Sequence, residues 1–170
     1  MTRLKLLASP LALALAALAL DRYVKVWTLG RFDSPGAGFD PIPGLLRLTY
    51  VENRGVAFGL FQNNSTLFGI IAVLIIAGVM AYANRWFWQT SLLGRASLAL
   101  VLAGGLGNVI DRLRYGFVVD TIHLIPLPVF QVFNIADAAI SLGAVGLFWT
   151  LWREDARQRR EQAAAKISEA

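Results

Sequence analysis

Between Gly104 and Asp137 the chain carries a group of polar residues able to support acid–base chemistry. The acids, amides and arginine considered are Asn108, Asp111, Arg112, Asp120, Asn134 and Asp137. Two carboxyl groups held close together cannot both ionise, so one stays neutral while the other is charged. Such a pair hydrolyses a peptide when the charged carboxylate takes a proton from water and the neutral carboxyl donates to the scissile carbonyl. Asp120 and Asp137 are the candidates for this pair.

The spacing of these residues predicts which of them share a helix face. Asn134 and Asp137 are three residues apart at the start of a predicted helix, where the helix N-terminus favours a carboxylate. Asn108, Asp111 and Arg112 have the same kind of spacing at the end of the preceding predicted helix. An Asp111–Arg112 pair would remove Asp111 from the catalytic candidates. Each group also has a structural explanation: an interfacial charge cluster, a helix cap at Asn134, or a buried acceptor at Asp137.

Composition narrows the chemistry to carboxylates. The chain has no cysteine, which excludes disulfides, thiolate nucleophiles and cysteine-bound metals. A Ser-His-Asp site or a zinc site would depend on the single histidine, His123, which we interpret as an interface residue. The net charge of +5 does not indicate a nucleic-acid partner, because the basic residues form no stripe interleaved with aromatic residues.

The distribution of apolar residues is typical of a membrane protein. Hydrophobic residues make up 56% of the chain and charged residues only 16%, against about 25% charged in soluble domains. Runs of about 20 apolar residues are long enough to cross a bilayer as helices. We therefore predict a mainly α-helical membrane protein, one domain over residues 1–170, with four transmembrane helices at about 4–26, 66–82, 92–110 and 133–152. The first run has an alternative interpretation as a cleaved signal peptide preceded by Arg3 and Lys5.

Two polar connections, 27–65 and 111–132, are predicted to lie on one side of the membrane. Leu45–Glu52 alternates apolar and polar residues, which predicts a half-buried strand, and a second strand is possible at Phe117–Ile122. Residues 33–44 are dense in turn residues. Residues 52–61, ENRGVAFGLF, form a short amphipathic piece suited to the membrane surface.

Loop charge predicts the orientation. The side that holds both termini and the 83–91 loop is rich in basic residues: Arg3, Lys5, Arg85, Arg95, Arg153, Arg157, Arg159, Arg160 and Lys166. Cytoplasmic loops carry an excess of Lys and Arg, so both termini and the tail at 153–170 are predicted to be cytoplasmic. Asp21, Asp111, Asp120 and Asp137 then lie at the extracytoplasmic face.

Four motifs in this order resemble those of one family. They are Asp21 with Lys25, the Asn-x-Gly-x-Ala-Phe run at Asn53–Phe58, GGLGNVIDRLRYGFVVD at Gly104–Asp120, and FNIAD at Phe133–Asp137. The chain is similar to the bacterial lipoprotein signal peptidases (signal peptidase II), a family of intramembrane aspartyl peptidases.

The resemblance implies four helices, a small extracytoplasmic β-sheet cradle and a surface-lying amphipathic helix. It also implies a catalytic pair at Asp120 and Asp137, without metal or other cofactor. Its substrates would be diacylglyceryl-modified prolipoproteins, cut just before the lipidated cysteine at the extracytoplasmic face of the bacterial cytoplasmic membrane. The positions that match supporting or substrate-contacting residues are Asp21, Asn53, Asn108, Asp111, Arg112, Asn134 and Ala136. The expected partners are these substrates and membrane lipids, without nucleic acid, and we expect a monomer.

Two positions depart from the family pattern, and two other functions compete. Thr121 follows the catalytic aspartate where the family usually has Phe, and Val56 replaces a frequent Ala. Both are expected to affect the floor or rim of the substrate site rather than the reaction. The alternatives are a small proton-coupled transporter, which would use the acids as a relay, and a non-catalytic membrane assembly factor.

Overall fold

A computed structural model describes residues 3–55, 65–127 and 132–168. In chain order the elements are α1 (Arg3–Arg31), β1 (Gly38–Ile42), β2 (Leu46–Asn53), α2 (Ser65–Gln89), α3 (Leu92–Tyr115), β3 (Val118–Leu124) and α4 (Ile135–Ser168). The prediction of a mainly helical chain with a small sheet is confirmed. The amphipathic piece predicted at 52–61 falls mostly outside the described residues, as does Val56.

Within the described residues, three helices contain segments long and apolar enough to cross a membrane: Leu6–Arg31 in α1, Leu92–Tyr115 in α3 and Ile135–Lys166 in α4. Their outward surfaces carry large apolar side chains, among them Leu15, Val145 and Phe148, each more than half exposed. Such a surface suits contact with lipid. α2 is 25 residues long and contains the remaining predicted span, at about 66–82. That α2 crosses the membrane stays a prediction.

α3 is the helix against which the other helices pack. Two of its glycines permit the closest approaches: a Cβ at Gly104 would overlap the carbonyl oxygen of Ala136 on α4, and one at Gly107 would lie 2.8 Å from Asp21 Oδ2 on α1. Small residues at such contacts let the backbones of membrane helices approach closely. Gly116 ends α3 in the left-handed conformation (φ 78°) and donates its N–H to Arg112 O at 3.0 Å.

The three strands form an antiparallel sheet in the order β1–β2–β3. β2 and β3 confirm the strands predicted at 45–52 and 117–122, and Val51 pairs with Asp120 in the register between them. β1 was not predicted, because its segment is rich in turn residues. Its Pro41 is compatible with a strand because β1 lies at the sheet edge, where the register against β2 is irregular. Phe32, Tyr50 and Val119 form a small core beneath the sheet.

All four described helices are longer than the predicted spans, and α2 continues to Gln89 rather than ending near residue 82. α1 continues through Arg31 rather than ending near residue 26, so the start of the predicted 27–65 connection is helical. α3 continues to Tyr115, which places Asp111 and Arg112 within its last turns rather than in a connection. α4 continues through the charged tail to Ser168, with exposed pairs such as Arg157–Glu161 along it.

Candidate active site

The site is built where the C-terminal part of α3, the N-terminus of α4 and strand β3 meet. Asn134 Nδ2 donates to Asp120 Oδ1 at 2.7 Å, and Asn108 Nδ2 donates to Asp137 Oδ1 at 2.7 Å. Asn134 Nδ2 also lies 3.3 Å from Asn108 Oδ1. The two predicted carboxyl groups are therefore joined through two amide side chains, and all four residues come together as predicted.

Asn134 also caps α4. Its Oδ1 accepts from the N–H of Asp137 at 2.8 Å, while the Asp137 carboxylate lies 3.4 Å from the N–H of Asn134. This reciprocal arrangement satisfies helix N-terminal donors and fixes the Asp137 side chain over the first turn. The capping and site interpretations of Asn134 therefore both hold, because its oxygen serves the helix and its nitrogen serves the site.

Asp120 lies on β3 and is only 2% exposed. Asn53 Nδ2 on β2 donates to Asp120 Oδ2 at 3.0 Å, which brings the predicted Asn53 to the pair. Burial, followed by repulsion from the Asp137 carboxylate, raises the pKa of Asp120 to about 7, against the opposing effect of its amide donors. Near neutral pH this carboxyl exchanges a proton readily.

A second cluster of charges lies directly behind the pair. Lys25 Nζ contacts Asp111 Oδ2 at 2.7 Å and Asp21 Oδ2 at 3.2 Å. Arg22 contacts the same two carboxylates, at 2.6 Å from Asp111 Oδ1 and 2.7 Å from Asp21 Oδ2. Lys25 also donates to Asn108 Oδ1 at 3.0 Å, which orients the amide that holds Asp137.

This charge cluster connects α1 to the elements that carry the site. Asp21 Oδ1 accepts from the N–H of Ala136 in α4 at 2.9 Å, and Asp111 Oδ2 accepts from the N–H of Val119 in β3 at 3.1 Å. Arg22 donates to the carbonyl of Gly107 in α3 at 3.0 Å. The predicted Asp21, Asp111 and Ala136 thus lie behind the carboxyl pair, where they hold its backbone in place.

The possible Asp111–Arg112 pair is not among the ion pairs of the described residues. The cations that contact Asp111 are Arg22 and Lys25 of α1. Asp111 and Arg112 are consecutive residues of α3, so their side chains point in different directions. Arg112 Nη2 donates to the carbonyl of Gly55 at 3.0 Å, and Nη1 lies 3.5 Å from that of Asn108. Arg112 therefore links α3 to the segment that follows β2.

Sequence reasoning missed Arg22, Thr28 and the place of Thr121. Thr121 lies on the opposite side of β3 from Asp120 and contacts Thr28 Oγ1 at 2.8 Å, rather than facing the carboxyl pair. One signal was available: Asp21, Lys25 and Thr28 are spaced four and three residues apart on one face of an apolar helix. Nothing in the sequence distinguishes Arg22 from an interfacial arginine.

The fold and the site define an integral membrane protein with a buried, amide-bridged pair of carboxyl groups. A family model described as signal peptidase (SPase) II matches residues 13–153. The chain is 39% identical over 148 residues to the lipoprotein signal peptidase of Streptococcus thermophilus (strain CNRZ 1066), covering 87% of this chain and 94% of that protein. It is 42% identical over 151 residues to that of Moorella thermoacetica, covering 89% and 97%.

Two solved structures of bacterial membrane enzymes, determined in meso at 2.3 Å and 1.9 Å resolution, are similar in fold. Their TM-scores are 0.78 and 0.72, each at 29% identity. The alignments cover 88% and 84% of this chain, and 90% and 92% of those chains. The chain belongs to the signal peptidase II family, and it is therefore a peptidase.

Proposed function

We propose that the protein is an aspartic endopeptidase of the bacterial cytoplasmic membrane that removes the signal peptide from diacylglyceryl-modified prolipoproteins, cutting just before the lipidated cysteine. The family and the relatives described as lipoprotein signal peptidases support the substrate class. The observation that carries the catalytic type is the buried connection Asp120–Asn134–Asn108–Asp137.

In the proposed reaction Asp120 is the neutral partner and Asp137 the charged one. The N–H of Asn134, directly before α4, and the Asn108 amide face the Asp137 carboxylate, which favours its charged form. Asp137 takes a proton from water, whose oxygen attacks the scissile carbonyl carbon while Asp120 donates its proton to the carbonyl oxygen. When the C–N bond breaks, the proton held by Asp137 passes to the leaving nitrogen, and one hydroxyl proton of the tetrahedral intermediate returns to Asp120. The pair titrates as a unit, so the roles belong to both carboxyls together.

The remaining predicted residues hold the pair and frame the substrate. Asn53 and Arg112 lie on the β2 side of the site, and each contacts the turn at residue 55: the N–H of Gly55 donates to Asn53 Oδ1 at 3.1 Å. Asp21, Asn108, Asp111 and Ala136 support the pair from behind.

The membrane arrangement is part of the proposal. α2 is taken as the fourth span, both termini are cytoplasmic, and the carboxyl pair lies at the extracytoplasmic face. A substrate that carries two acyl chains then approaches sideways from the bilayer and keeps its lipid in hydrocarbon. We assign a single chain as the active unit, in contact with membrane lipids and without nucleic acid.

The clustering of the acids favours hydrolysis over proton transport. A relay places ionisable groups along a path through the membrane, whereas Asp120 and Asp137 are bridged to each other where helix ends meet the sheet. A non-catalytic assembly factor would depend on the shape of this cluster but not on proton exchange by its carboxyl groups.

The test is cleavage by the purified full chain of a diacylglyceryl-modified prolipoprotein, with the same precursor lacking the diacylglyceryl group as matched substrate control. We expect cleavage before the lipidated cysteine, at least about tenfold faster for the modified precursor, and unchanged by a chelator. Absence of cleavage by folded protein would contradict the function, and chelator-sensitive cleavage would contradict the metal-free mechanism.

A further inference from the structure

α1 presents three buried polar side chains on one face, and each contacts a different element of the site. Asp21 and Lys25 are 1% exposed and Thr28 is fully buried. Asp21 contacts the start of α4, and Lys25 contacts α3 through Asn108 and Asp111. Thr28 contacts β3 through the hydroxyl of Thr121, at 2.8 Å. The third contact reaches the residue directly after Asp120.

The direction of the Thr28–Thr121 hydrogen bond follows from a count of hydroxyl protons. A threonine hydroxyl has one proton to donate. Thr28 Oγ1 donates to the carbonyl of Val24 at 2.8 Å, one turn earlier in α1. The proton between the two threonines is therefore that of Thr121, and Thr28 is the acceptor.

Thr121 is also tied to the start of α4. Its N–H donates to the carbonyl of Phe133 at 3.0 Å, and Ile122 and Phe133 exchange backbone hydrogen bonds at 2.8 and 2.9 Å. Phe133 directly precedes Asn134, the amide that bridges the carboxyl pair. One residue thus connects the strand of Asp120, the approach to Asp137 and helix α1.

A groove of about 340 Å³ lies between α1 and the sheet, lined by Tyr23, Val24, Trp27, Leu48, Thr121 and Ile122. Beside this groove the Thr28–Thr121 hydroxyl contact is a directed link between α1 and β3.

We propose that Thr28 and Thr121 are positioning residues for the Asp120 carboxyl, and that their hydroxyl hydrogen bond sets the separation of Asp120 from Asp137. The inference rests on the proposed function. It assigns Thr121 a role on the side of β3 away from the substrate. A displacement of the order of 1 Å in a reacting group costs about a hundredfold in rate.

The test compares Thr121→Val, Thr28→Val, the double variant and Thr121→Ser in the prolipoprotein cleavage assay. We expect both single Val variants to lower kcat about tenfold or more with KM within about twofold, because the substrate contacts are intact while the carboxyl is displaced. Thr121→Ser keeps the donor and should restore kcat to within about threefold of the unmodified protein. Thr49→Val is the matched control, since Thr49 is a buried β2 threonine whose hydroxyl donates to Ala37 O at 2.8 Å, directly before β1, rather than to α1.

Two results would overturn the inference. The first is an equal kcat for Thr121→Val and Thr49→Val, which would show that Thr28 and Thr121 contribute only to packing. The other is Thr121→Ser as impaired as Thr121→Val, which would show that the hydroxyl is not the operative group.

A double-mutant cycle that measures Tm for Thr28→Val, Thr121→Val and the double variant does not depend on activity. Thr28→Val leaves the buried donor of Thr121 unsatisfied, whereas Thr121→Val leaves Thr28 bonded to Val24. Thr28→Val should therefore lower Tm more, and the double variant should recover part of the loss. Additive effects would count against the bond. If the unmodified protein is inactive but the Tm changes of Thr28→Val and Thr121→Val are non-additive, the hydrogen bond is supported and only the proposed function is contradicted.

Discussion

Asn134 has two tasks, because its two terminal amide atoms face different partners. Its oxygen caps α4 and its nitrogen bridges Asp120 to Asn108. The residue types and spacing indicated both tasks in advance and left them as alternatives. Only packing shows that one side chain performs both, since the partners are separated by 14 and 26 residues in sequence.

Substitutions at Asn134 separate the two tasks. Ser is a good N-cap but lacks the amide donor, so Asn134→Ser should lower Tm less than Asn134→Ala does and should lower kcat at least about tenfold. Asn134→Ala loses both contacts and should cost about 1 kcal/mol more in stability. Thermal unfolding and cleavage kinetics measured together check this. Full activity in Asn134→Ser would show that the bridge is dispensable.

The raised pKa of Asp120 predicts how stability depends on pH. The folded protein holds this proton up to about pH 7, whereas the unfolded chain releases it near the ordinary value of 3.8. The folded state therefore binds more protons between these values, and its stability falls as pH rises through this window. Asp120→Asn removes the titration, so its Tm relative to the unmodified protein should rise from pH 5 to pH 8. A constant difference would contradict the assignment.

At the scale of elements, α1 organises the site without contributing either carboxyl of the pair. Its polar face was visible in the sequence as Asp21 and Lys25, but the length of the helix and the third contact at Thr28 were not. β1 escaped prediction because turn residues dominate its segment and its register against β2 is irregular. β2 was predictable because alternation of apolar and polar residues indicates a half-buried strand. β3, VVDTIHL, does not alternate and was given only as a possible strand.

Removal of one charge from the α1 cluster tests this organisation. Lys25→Met leaves the Asp21 and Asp111 carboxylates buried with Arg22 as their remaining cation, and we expect a loss of about 3–5 kcal/mol in unfolding free energy. Arg47→Met is the control. It breaks an exposed pair with Asp40 at 3.0 Å and should cost less than about 1 kcal/mol. Equal losses in the two variants would refute a structural role for the cluster.

At the scale of the whole molecule, the elements meet at one end of the helices and leave large apolar side chains around the outside. Composition was sufficient to predict a membrane protein, because long apolar runs have few other uses. Loop charge predicts orientation, but it says nothing about which helix faces touch. Those contacts depend on glycines such as Gly104 and Gly107, whose significance appears only once α1 and α4 are packed against α3.

The absence of cysteine from the chain makes its topology directly measurable. With four spans and both termini cytoplasmic, Ser34→Cys should react with a membrane-impermeant thiol reagent in intact cells. Gln158→Cys, on the exposed extension of α4, should react only after permeabilisation. The unmodified protein is the blank. Labelling of both variants from the same side would contradict the arrangement and the assignment of α2 as a span.

The central claim is that Asp120 and Asp137 together perform the hydrolysis. The most direct measurement is single-turnover cleavage of a diacylglyceryl-modified prolipoprotein by Asp120→Asn and Asp137→Asn, with Asp33→Asn as an exposed control. An amide keeps the shape of the side chain but cannot exchange the required proton, so both variants should bind substrate and lose at least about a thousandfold in rate, while Asp33→Asn stays active. Cleavage that survives either substitution within about tenfold would show that the pair does not carry the reaction.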